Sequence, residues 1–83
     1  MEDRRDLERV LWRSRRGMLE LDILLVDFAR SRYPHLADSQ RSAYQDLLHV
    51  DDWVLLDWLR GRVVPEPRFA EIVATIAAFN ADC

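Results

Sequence analysis

Few residues in this 83-residue chain are of a type that does chemistry, and their spacing narrows the choice further. His35 and His49 are the only histidines, and neither sits in an HExxH or CxxC context that would hold zinc. Asp51 and Asp52 are adjacent, so on a helix their carboxylates diverge, and capping the helix that follows is their expected use. No metal site is expected. Cys83 is the sole cysteine and the last residue, so no intrachain disulfide forms and the fold needs no oxidising compartment. A fraying terminus is also a poor place for a nucleophile, and no GxSxG elbow is present. The two glycines, Gly17 and Gly61, stand 44 positions apart, which excludes a GxGxxG or Walker phosphate loop. A general acid/base pair needs a pocket, and a chain of this size has little room for one. No catalytic residue is expected.

Every one of the 12 basic residues is arginine, a side chain that stays charged and binds carboxylates and phosphates bidentately. Residues 1–35 balance to +1 and residues 36–83 to −4, giving the net charge of −3 and a pI of about 5.2. That balance argues against a nucleic-acid binder, which carries a basic excess. A helix–turn–helix reading fails on the same ground. The candidate recognition segments hold only Arg41 in one, and Asp57 against Arg60 in the other. Arg13, Arg15 and Arg16 form the sharpest basic cluster.

Apolar residues at 49% mark a globular chain, and two glycines with three prolines favour helices over a loop-rich β fold. Five helical segments fit within one domain over residues 1–83. The first spans about Asp3 to Arg15, with Leu7, Val10, Leu11 and Ser14 on one face. The three clustered arginines load its last turn, and Gly17 takes the C′ position with positive φ. The second spans about Met18 to Arg32 with a Leu21, Leu24, Leu25, Phe28 stripe, and the Tyr33–Pro34 step disfavours helix beyond it. Asp38 caps a third, about Ser39 to His49, with Tyr44, Leu47 and Leu48 inward. Asp51 or Asp52 caps a fourth, about Trp53 to Arg60, apolar nearly all round and stopped by Gly61. The fifth, about Pro67 to Asn80, carries the cleanest stripe: Phe69, Ile72, Val73, Ile76 and Phe79. The expected fold is all-α, a compact five-helix bundle. No apolar run approaches the roughly 20 residues that span a bilayer. The opening Met-Glu-Asp-Arg-Arg-Asp resembles neither a secretory signal nor a transit peptide, so a cytoplasmic location is the expectation.

The corner between the first two helices, Arg15-Arg16-Gly17-Met18-Leu19-Glu20-Leu21-Asp22, is the most informative stretch. Its plain reading is a well-made turn. Arginines end one helix, glycine turns the chain, and Glu20 and Asp22 sit in the first turns of the next, where anions suit the dipole. Arg16 and Glu20 are placed to pair, although the turn breaks simple i, i+4 geometry. The same residues make an open, Arg-and-carboxylate surface suited to docking a protein. Trp12, Trp53, Trp58, Tyr33 and Tyr44 are candidate interface anchors, although most aromatics at helical spacing are core; Trp12 is the exception because it falls off the stripe of the first helix.

Arg16-Gly17-Met18-Leu19-Glu20-Leu21-Asp22 resembles the RGxxE signature of the succinate dehydrogenase flavinylation (assembly) factor family. The likeness continues through Tyr44, Leu47, Leu48, Asp51-Asp52, Trp58-Leu59, Gly61 and Pro65, so it runs from about Leu7 to Ile76. One departure is Trp53, where many relatives carry proline. The resemblance implies a five-helix fold and a chaperone-like factor without catalytic activity of its own. Such a factor binds the flavoprotein subunit of succinate dehydrogenase, in bacteria also that of fumarate reductase, and promotes covalent attachment of FAD to it. No cofactor is expected to stay on this chain, because the FAD ends on the partner. By motif position the partner-binding residues are Arg16, Gly17 and Glu20, with Met18 and Asp22 beside them. Arg16 either meets a partner carboxylate or orders the corner. An antitoxin-like or regulatory protein-binding module is the alternative. Neither nucleic acid nor membrane insertion is expected. A monomer is expected, with the apolar fourth helix and Cys83 leaving a dimer open.

Overall fold

The computed structural model describes residues 2–81, and their side chains from residue 5 onward. Five α-helices and one 3-10 turn follow in order: α1 (Glu2–Ser14), α2 (Leu19–Arg32), the 3-10 turn Tyr33–His35, α3 (Asp38–Leu47), α4 (Asp52–Leu59) and α5 (Pro67–Ala81). Among the described residues there is no strand, and no helix is long and apolar enough to cross a membrane. Cys83 lies outside the described residues.

The apolar stripes converge as their periodicity requires. Leu21, Leu25 and Phe28 of α2 meet Tyr44 and Leu47 of α3, Leu55 and Leu56 of α4, and Phe69, Ile72 and Ile76 of α5, all essentially without solvent contact. Burying side chains of this size contributes about 1.5–3 kcal/mol each, which is what sets five short helices against one another. Aromatic contacts run through the centre. Phe28 lies 5.7 Å from Tyr44 and meets Phe79 edge-on at 5.5 Å, while Trp58 packs on Phe69 at 5.7 Å. The first helix is the most polar layer. Among its described side chains only Val10 and Ser14 are buried, with Leu7 and Leu11 packed at the margin. The Ser14 hydroxyl donates to the Val10 carbonyl at 2.7 Å and shares a 2.8 Å hydrogen bond with the Tyr44 hydroxyl. Farther along α1, Asp6 accepts from the Tyr33 hydroxyl at 2.7 Å.

Several boundaries differ from the sequence expectation, each for a local reason. The first helix stops at Ser14, so only Arg13 lies in its last turn, and Gly17 stands three residues beyond the helix end. The chain leaves early because the Arg16 amide and guanidinium both bond elsewhere. The second helix does end at Arg32 as expected, and the Tyr33–Pro34 step follows it as a 3-10 turn whose early proline needs no N–H. Asp38 is the first residue of α3 rather than its cap. Ala37 occupies the cap position without a side-chain bond, and Asp38 acts only through the helix dipole. The same helix closes at Leu47, two residues short of His49, because the amides of His49 and Val50 turn back to Asp46 and Leu47 in a tighter i−3 pattern. Of the two adjacent aspartates, Asp51 is the cap of α4: its carboxylate accepts from the Trp53 amide at 3.1 Å. A proline at position 53 would lack that donor. Gly61 takes φ +76° just past the C-cap Arg60, the left-handed turn that ends α4.

Candidate functional site

The corner joining α1 to α2 is the place where charged groups from three elements meet. Arg16 is its centre. Its amide donates to Asp22 Oδ1 at 2.7 Å, which ties the link to the first turn of α2. Its Nε donates to Asp52 Oδ1 at 2.8 Å, and its Nη2 donates to the Val50 carbonyl at 2.7 Å. The Nη1 group donates to the Leu48 carbonyl. One guanidinium therefore spans the carbonyls left open where α3 ends and the carboxylate that starts α4. The side chain is only 13% exposed. This arrangement sets the α1–α2 corner against the α3–α4 turn, across more than thirty residues of sequence.

Beside this clasp the backbone is open. Gly17 has φ +79°, and a Cβ built on it would meet no atom within 4 Å. Glycine is required there by backbone conformation, not by crowding. Met18 is half-buried against the core, and its carbonyl accepts from the Asp22 amide at 2.9 Å. Leu19 points outward at 73% exposure, and Ile23, one turn on, is also exposed. Arg15, Asp22, Ile23, Val26 and Asp27 line a shallow depression of about 320 Å³ along this flank of α2. Trp12, at 78% exposure, and Trp53 and Val54 at the start of α4 add exposed apolar surface, so the off-stripe tryptophan stands in solvent as its spacing predicts.

Glu20 does not pair with Arg16. Arg16 is occupied by Asp52, and Glu20 Oε2 instead receives Arg60 Nη2 at 2.6 Å, from the C-cap of α4. Of the two roles left open for Arg16, the geometry shows the ordering of the corner, since all three guanidinium nitrogens donate within the chain. No local signal marks Asp52 or Arg60 for these roles. Each lies about forty positions from its partner, beyond the reach of any helical spacing rule.

The remaining reactive residue types are the two histidines. His49 is exposed on the α3–α4 turn, and His35 lines an open groove of about 530 Å³ with Phe28, Arg32, Leu36 and Phe79. That groove lies at the opposite end of α2, about 20 Å along a helix of this length. Among the described residues no group of three or more His, Cys, Asp or Glu is gathered as a metal site would need. Burial pushes the Tyr44 hydroxyl up to about 12, against the lowering pull of Ser14 and Arg16, and raises Tyr33 as well. Both tyrosines are therefore neutral hydrogen-bonding groups of the core.

Comparison with known proteins gives the family of the whole chain. A family model described as flavinator of succinate dehydrogenase matches residues 8–80. The chain is 49% identical over 61 residues to the FAD assembly factor SdhE of Pseudomonas syringae pv. tomato, covering 74% of this chain and 73% of the relative. It is 43% identical over 74 residues to the protein of that name from Legionella pneumophila strain Paris, covering 89% and 94%. With the one from Pseudomonas putida it shares 40% over 77 residues, covering 92% of each. No solved structure matches the chain significantly.

Proposed function

The chain belongs to the flavinator of succinate dehydrogenase family, and on that footing we propose that it is a FAD assembly factor that docks on the flavoprotein subunit through the Arg16–Asp22 corner. The observation that carries the docking surface is the clasp at Arg16. Four hydrogen bonds fix the corner from behind, so that Gly17, Leu19 and Glu20 are presented on a rigid edge. Rigid presentation lowers the ordering entropy lost on binding. Gly17 leaves the backbone bare, which lets a partner approach closely. Met18 and Asp22 hold the two ends of the link in register and act as positioning residues.

The corner does not fit the diphosphate of FAD. Its best-placed guanidinium is already bonded to Asp52, Leu48 and Val50, and Glu20 and Asp22 beside it are acids. In this reading the chain contributes a surface and no reacting group. The flavin, the residue it joins and the bond between them belong to the flavoprotein, whose competent arrangement the factor favours by binding it. Succinate dehydrogenase is the first expected client and fumarate reductase the second.

The test is reconstitution. The flavin-free flavoprotein subunit is incubated with FAD, with and without this chain, and covalent flavin is read by in-gel fluorescence. The expected result is faster or more complete loading with the wild-type chain, and none of that gain with Glu20→Arg at unchanged helicity. Equal loading with and without the chain would overturn the assembly reading. Full activity of Glu20→Arg would overturn the docking surface.

A further inference from the structure

Two salt bridges meet at the Arg60-Gly61-Arg62 turn that ends α4. Arg60 holds Glu20 at 2.6 Å and Arg62 holds Asp57 at 3.4 Å. All four side chains are more than a third exposed. Arg16 is turned inward to Asp52, whereas the Glu20 carboxylate meets solvent and already carries a guanidinium.

We propose that Arg60 is a specificity-determining latch. It occupies the Glu20 carboxylate until an arginine or lysine side chain of the flavoprotein displaces it. The proposal rests on the assembly-factor reading above. Three observations support it. The chemistry Glu20 accepts is displayed in the molecule itself, a single charge-assisted N–H···O contact. The contact is exposed, so solvent screens it and its exchange for a like contact is close to neutral. The backbone that carries Arg60 is the last step of α4, followed by the left-handed Gly61. The side chain therefore swings away without moving Leu55, Leu56 or Leu59 in the core. Two of the neighbouring arginines are already held by other carboxylates. Arg62 is engaged by Asp57 and Arg16 by Asp52. A released Glu20 then presents one uncompensated negative charge at the docking edge, which selects a cationic contact and rejects an acidic one.

The experiment titrates the flavin-free subunit with wild-type chain, Arg60→Gln, Arg60→Lys, Glu20→Gln and the Glu20→Gln/Arg60→Gln double variant. It reads the half-saturating concentration and the maximal extent of covalent flavin separately. Arg60→Gln is expected to lower the half-saturating concentration by about two- to fivefold, the range of an exposed ion pair, with the maximal extent unchanged. Arg60→Lys should stay near wild type. In the Glu20→Gln background Arg60→Gln should change nothing. Circular dichroism melts confirm that each variant folds. A raised half-saturation with Arg60→Gln would show that Arg60 itself contacts the partner, and an unmoved one that it competes with nothing; either overturns the latch. An Arg60→Gln effect that persists without Glu20 overturns it too. If the wild-type chain neither binds nor promotes loading, the assembly-factor reading fails and the latch with it.

Discussion

Replacing Arg16 by alanine removes the clasp, and its cost follows from what the guanidinium touches. The lost groups are a 2.8 Å contact to the Asp52 carboxylate and donors to the carbonyls of Leu48 and Val50. A hydrogen bond to a charged group contributes about 1.5–3 kcal/mol, but the three do not add, because water reaches the freed acceptors. Asp52 is 32% exposed, so it is rehydrated rather than stranded. A net loss of about 3 kcal/mol results, below the cost of breaking a fully buried pair. For a domain of this length that lowers Tm by about 15–20 °C. Arg16→Lys should recover about half of the loss, since one ammonium cannot reach all three acceptors. Asp52→Asn should cost about 1 kcal/mol, because it keeps an oxygen and loses only the charge. Calorimetric or circular dichroism melts supply the numbers. An Arg16→Ala chain that melts within about 3 °C of wild type would refute the clasp and return Arg16 to a direct role at the partner.

Gly17→Ala should cost about 1 kcal/mol from the left-handed backbone alone, with no added clash, and Gly17→Val more, read as Tm shifts of graded size. Trp12→Ala should leave stability within about 0.5 kcal/mol because the ring is in solvent; reduced flavin loading with an unchanged melt would place it on the docking face. Tyr44, held neutral by burial, gives a pH dependence of fixed sign. The unfolded chain loses this proton near the ordinary value of 10 and the folded chain near 12, so stability is intact below pH 10 and falls by about 2–3 kcal/mol between them. Tyr33 is shifted the same way and steepens that fall; Tyr44→Phe should remove the larger share, as followed by urea midpoints across that window.

The helices were legible because their stripes are long and regular. Phe69, Ile72, Val73 and Ile76 in α5, and Leu21, Leu25 and Phe28 in α2, fall inward as a 3.6-residue period requires. Helix ends were less legible, since Asp38 and Asp52 are as good at capping as Asp51, and only tertiary partners decide among them. The corner itself was visible as a motif with a positive-φ glycine at its centre. Its internal wiring was not. Nothing within four residues of Arg16 or Glu20 names Asp52 or Arg60, and the local Arg16–Glu20 pair that spacing suggests loses to two contacts made across the fold.

The polar character of α1 has a consequence for how the molecule breathes. Among its described side chains only Val10 and Ser14 are buried, and Asp6 anchors its first half through the Tyr33 hydroxyl, so this helix contributes fewer buried apolar residues than α2 or α5. Amide hydrogens along it should exchange with solvent deuterium sooner than those of α2 or α5. Unzipping from the amino end meets a stop at Arg16, whose hold is on the α3–α4 turn and does not pass through α1. The Arg16–Asp22 corner thus keeps its shape while α1 comes and goes.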